Sequence, residues 1–103
     1  MTDWQDLIRK ETAAVGLVSR NSAVVIGDPT LTSVQAERLV RQVAKGRESV
    51  SIVIEKMMVA DVGPNVILNA IKLRDIWDGL EEAAVARLEI IRKLEAAAPE
   101  GSG

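Results

Sequence analysis

The sequence predicts an all-α fold: a small helical bundle with a long amphipathic helix at its C-terminal end. Three observations carry this. Apolar residues recur at helical spacing from Pro64 to Ala98 with hardly an interruption. Turn signals are few: Gly27-Asp28-Pro29 and Val62-Gly63-Pro64 are the clearest. The apolar fraction is 48% with only two aromatic residues, Trp4 and Trp77, and no Phe or Tyr. A core made of Val, Ile, Leu, Ala and Met fills the narrow spaces between close-packed helices. It contributes little area per side chain, so a subunit interface is expected to supplement it.

Residues 2–19 read as the first helix. Thr2 or Asp3 serves as its N-cap, and Asp3 and Asp6 suit the positive end of the helix dipole. Trp4, Leu7, Ile8, Ala14, Val15 and Val18 share a face. Gly16 weakens the last turns by about 1 kcal/mol relative to Ala. Residues 20–30 read as a connector. Within it Ala23-Val24-Val25-Ile26 is β-branched enough for a short strand or buried extended segment, stopped by Gly27-Asp28-Pro29.

Residues 32–45 read as the second helix, capped by Thr32 or Ser33. Ala36, Leu39, Val40, Val43 and Ala44 form its apolar face, and Gly46 is placed to end it. Residues 48–60 fit two templates. Ser49 to Glu55 alternates partly, as a strand does, whereas Val50, Val53, Ile54, Met57 and Met58 make a helical face. The helix is preferred because no turn signal interrupts the run through Met58. The alternative is an α+β fold with strands near 23–26 and 49–54.

After the break at 60–65, Pro64 is suited to a first helical turn. The last helix is expected to be continuous through Gly79 and about 50 Å long at 1.5 Å per residue. A compact domain of this size has a radius of gyration of about 13 Å. A straight helix is therefore expected to protrude, its stripe covered by another chain; bent at Gly79, it would close a compact bundle. Residues 1–98 read as a single helical domain. Residues 99–103, Pro-Glu-Gly-Ser-Gly, read as a flexible tail of engineered-linker composition.

Composition also bounds function. The net charge is −2, from 13 basic and 15 acidic residues, which does not suit a surface that binds polyanions all over. There is no Cys and no His, so there is no disulfide framework, thiolate metal site or imidazole base. The carboxylates and lysines that remain sit in no catalytic motif, so no enzyme is expected, and no cofactor or metal. Asp75, Asp78 and Glu82 share a helix face, but a solvated face explains them better than a cation site. The longest uncharged run, Val62 to Ile71, is too short to span a membrane. The N-terminus lacks the basic region of a signal peptide. A cytoplasmic protein with no membrane partner is expected.

Two interaction readings follow. In the first, the chain is a non-enzymatic homo-oligomeric assembly or scaffold protein. Its stripe packs on the chain's own helices near its start and on neighbouring subunits through Trp77, Leu80, Ala84, Leu88, Ile91 and Leu94. The missing Phe, Tyr, His and Cys and the Ala/Glu/Arg-rich end suit an engineered sequence. The irregular Ser19-Arg20-Asn21-Ser22 and the 60–65 loop suit a natural scaffold. In the second, Arg38, Arg41, Lys45 and Arg47 on and beside the second helix bind nucleic acid while the last helix oligomerises. No aromatic residue interleaves them for base stacking. A helical DNA-binding part joined to an oligomerising helical part is similar in architecture to phage small terminase subunits.

Overall fold

A computed structural model describes residues 3–97. The predicted all-α class and long C-terminal helix are present: α1 spans Trp4–Ile26, α2 spans Ser33–Val59 and α3 spans Pro64–Ala97. Thr2, Ala98 and the tail 99–103 lie outside the described residues.

Helices α1 and α2 start where the sequence supplies side-chain acceptors for free N–H groups of the first turn. Asp3 caps α1, its carboxylate accepting from Asp6 N at 3.1 Å. Thr32 caps α2 in a full capping box. Its hydroxyl accepts from Gln35 N at 3.2 Å, and the Gln35 side chain accepts from Thr32 N at 3.1 Å. Pro64 opens α3, where its missing N–H costs nothing.

Helix α1 does not end near residue 19. It runs through Ala23-Val24-Val25-Ile26, so this segment is neither a connector nor a strand. Val25 and Ile26 sit partly buried against the main core, and that packing overrides the β preference of the run. The chain turns only at Gly27-Asp28-Pro29. There the Asp28 carboxylate accepts from Thr30 N at 2.8 Å and from the Thr30 hydroxyl at 2.7 Å. Those two bonds, with Arg87 nearby, hold the Asp28 carboxyl below its usual pKa.

Residues 49–54 are helical, and the proposed helices 32–45 and 48–60 are one helix, α2. Gly46 is not a helix stop. It lies inside α2 against the Trp77 indole; a methyl at its Cα would fall within 3.0 Å of the Cη2, Cζ3 and Cζ2 carbons of the ring. Only glycine admits the ring there. Helix α2 ends at Ala60 with Asp61 at φ 54°. Val62 N donates to Met57 O at 3.1 Å and Asp61 N to Met58 O at 3.3 Å, a Schellman arrangement with Asp in the usual glycine place.

Trp4 of α1 lies beside Val59 and Ala60, and Ser49 Oγ lies 3.4 Å from Glu11 Oε1, so α1 and α2 are antiparallel. Helix α3 returns alongside α2, with ion pairs Arg47–Asp78 and Arg92–Glu37 tying the two together. The order is up-down-up. The main core joins Val15 of α1, Leu39, Val43, Val50, Ile54 and Met57 of α2, and Ala70, Leu73, Trp77 and Ala84 of α3. A second cluster of Leu31, Ala36, Leu88 and Ile91 closes the far end.

Helix α3 is unbroken at Gly79. The expectation that a straight α3 outgrows its own domain assumed a near-spherical bundle. The bundle is instead a rod, 62 × 21 × 18 Å, with a radius of gyration of 17.3 Å. Helices α1 and α2 are themselves long, about 35 and 40 Å at 1.5 Å per residue. They lie along α3 and cover its main stripe.

Candidate functional site

The residues expected to form an interface divide by depth. Trp77, Ala84, Leu88 and Ile91 are buried in the chain's own core. Leu80 is partly buried against the same core. Leu94 is exposed at 64%, near a shallow groove with Pro29, Thr32 and Glu95. Apart from Leu94, the stripe expected to meet other subunits is thus packed within the chain's own bundle.

What the fold leaves open is, Leu94 apart, a different set. Leu17 and Val24 on α1, Val34, Ile52, Met58 and Val59 on α2, and Leu68, Ile76, Ile90 and Leu94 on α3 are all exposed. Ile76, Ile90 and Leu94 share one outward face of α3, since Ile90 follows Ile76 by nearly four turns and Leu94 follows Ile90 by about one. Gly79, Ala83 and Ala86 lie exposed between them.

The basic set also divides. Arg38, Arg41 and Lys45 line one shallow depression on α2 together with Gln42. Arg41 Nη2 stands 3.9 Å from Glu37 Oε2, so its charge is partly answered within its own helix. Arg47 is not part of this patch. It lies about 200° around α2 from Lys45 and pairs with Asp78 of α3. Asp78, one of the acidic residues on α3, is thereby drawn into a structural contact. Among the described residues no three His, Cys, Asp or Glu side chains converge closely enough to share a metal ion.

A shallow groove of about 300 Å³ lies between the end of α1 and the start of α2. Val24, Val25, Leu31 and Leu39 supply apolar walls; Asp28, Gln35, Arg38 and Gln42 supply polar ones. Its one carboxylate, Asp28, is engaged by Thr30. It therefore presents no paired acid and base. Among the described residues three buried side-chain polar atoms lack a hydrogen-bond partner: Ser22 Oγ, Trp77 Nε1 and Arg87 Nε. Among the described residues the Arg87 guanidinium hydrogen-bonds only the Asp28 carbonyl, from Nη2 at 3.4 Å. No described helix is long and apolar enough to cross a membrane.

The geometry defines a three-helix rod with apolar surface on every helix and one basic patch on α2. No protein-family model, curated protein or solved structure matches the chain.

Proposed function

We propose that the chain is a non-enzymatic assembly module that associates with copies of itself through the rod's long sides. The observation that carries this reading is the exposed apolar set. At least ten large aliphatic side chains remain in contact with solvent after the chain's own core is complete, and Ile76, Ile90 and Leu94 fall on a single face. Apolar surface aligned along one face is the usual sign of a docking surface, unlike the same residues scattered singly. The small aliphatic core supports the reading too, because association adds burial that the core alone cannot supply. A natural scaffold redesigned for assembly accounts for the composition. The cytoplasm is the proposed compartment for a chain whose stability depends on no disulfide.

Light scattering coupled to size exclusion, run from low micromolar to half-millimolar protein, tests this. Mass above that of one chain, rising with concentration, is expected; a monomer throughout refutes the reading. Elution volume alone does not suffice, since a rod elutes ahead of a sphere of the same mass.

The second reading, nucleic-acid binding, rests on the convergence of Arg38, Arg41 and Lys45. It calls for a DNA shift assay across a salt series. Binding whose salt slope flattens in Arg38→Ala/Arg41→Ala would favour it.

A further inference from the structure

We propose that the self-association surface is the outer face of α3 from Asp75 to Leu94, and that it pairs in parallel with the same face of a second copy. The proposal rests on the assembly reading and adds the surface, the partner and the orientation.

Helix α3 carries two stripes. One, with Trp77, Ala84, Leu88 and Ile91, is buried in the chain's own core. The other repeats every seven residues as Ile76, Ala83 and Ile90, with Gly79 and Ala86 three residues after the first two. This is the spacing of the seam positions of a two-stranded coil. Ile76 is 47% exposed and Ile90 49%. The buried stripe then falls on positions that a coil turns away from its partner. One helix can thus serve its own bundle and a second copy without competition.

Gly79 is the second observation. Glycine weakens a helix interior, and Gly46 is explained by the Trp77 ring that needs its space. Gly79 has no such explanation within the chain, because a methyl there would meet nothing within 4 Å. Gly79, Ala83 and Ala86 form a shallow trough between two isoleucine ridges. A trough of that kind admits close approach of a second helix.

Charge decides the occupant and its direction. In this register Asp75, Glu82 and Glu89 flank the seam on one side, and Leu80, Arg87 and Leu94 on the other. A parallel copy sets each flank against the opposite flank, five residues on. Glu82 then meets Arg87 of the second copy, twice by symmetry. Among the described residues neither Glu82 nor Arg87 forms an ion pair closer than 4 Å; Arg87 has a buried Nε without a partner and a long bond to the Asp28 carbonyl, with the Asp28 carboxylate nearby. An antiparallel copy would set the acidic flank against its own like. The same surface therefore complements itself in one orientation and repels itself in the other.

The seam is about 27 Å long at 1.5 Å per residue. One helix face of that length buries less than the roughly 800 Å² per partner of a standard interface. A dimer that dissociates in the micromolar-to-millimolar range is expected.

The test uses the full chain and light scattering over that concentration range, with circular dichroism to confirm folding. Ile76→Glu and Ile90→Glu replace exposed side chains, so the monomer still folds; each is expected to weaken association at least about tenfold. Glu82→Arg and Arg87→Glu should each weaken it, and the double exchange should restore it. The chain has no cysteine, so Ile90→Cys reports orientation directly. Mild oxidation links it to itself in the parallel arrangement. Crosslinking only in a mixture of Ile76→Cys with Ile90→Cys would show an antiparallel pair and overturn the proposal. If the wild type self-associates but Ile76→Glu and Ile90→Glu leave its mass unchanged, the surface is wrong while the assembly reading stands. If the wild type is a monomer throughout, both fall.

Discussion

Replacing Gly46 by Ala should destabilise this protein, although the same change at Gly79 should stabilise it. In the interior of an exposed helix, Gly to Ala returns about 1 kcal/mol. At Gly79 nothing opposes that gain, since the added methyl meets open space. At Gly46 the methyl would fall within 3.0 Å of three carbons of the Trp77 ring. Trp77 is 3% exposed and is held among residues of all three helices, so the ring cannot simply swing away. The strain then lies at the upper end of the overpacking range, about 3 kcal/mol. Set against the helix gain, the net loss is about 2 kcal/mol. For a domain of this size each kcal/mol moves Tm by about 4–8 °C. Gly46→Ala should therefore lower Tm by about 8–16 °C, and Gly79→Ala should raise it by about 4–8 °C. Thermal unfolding followed at the helix circular-dichroism band measures both, at a concentration low enough to keep the chain monomeric. Combining Gly46→Ala with Trp77→Leu should give a favourable coupling, because the smaller side chain removes the overlap. A Gly46→Ala protein as stable as the wild type would show that the ring does not sit on Gly46.

Further outcomes are expected from other sites. Thr32→Ala removes half of the capping box and should cost about 1 kcal/mol by denaturant titration; a change under a few tenths would mean the box is not formed in solution. Met57→Ala empties a fully buried position and should cost about 2–5 kcal/mol by the same measurement; a loss well below that range would mean Met57 is not packed as described. Asp61→Gly should be stabilising by about 0.5–1 kcal/mol, because Asp61 holds φ 54° where glycine is unstrained; destabilisation would refute the turn geometry. The Asp28 carboxyl should titrate below its ordinary value of 3.8. Its contribution to stability is then full above that pH and is lost as pH falls through the lower folded-state value. An NMR titration should show the midpoint move up in Thr30→Ala; a wild-type midpoint at or above 3.8 would contradict the Thr30 bonds.

Much of the fold is legible locally. The 3–4 spacing of apolar residues marks α3, and Pro64 marks its start. The capping box is written in the chain as Thr32 and Gln35, three residues apart. The extent of α1 is not legible, because residues 23–26 are locally strand-like and become helical only through Val25 and Ile26 meeting the core. Gly46 is the plainest case. Its neighbours suggest a helix end, and its reason for being glycine is Trp77, which is distant in the chain. The division of α3 into an inward and an outward stripe is also a tertiary fact. Trp77 and Ile76 are adjacent and equally apolar, and only the positions of α1 and α2 decide which of them is buried.

The number of helices has one more consequence. With three, the two described ends lie at opposite poles: Trp4 sits beside Ala60, while α3 finishes beyond Ser33, whose N–H donates to Glu95. A two- or four-helix bundle would bring its ends together. Here the rod is a strut, and domains fused to its two ends would be held apart by most of its 62 Å length. Dyes attached near residues 3 and 97 should therefore show low energy transfer that rises sharply on unfolding only if the chain collapses below the length of the rod.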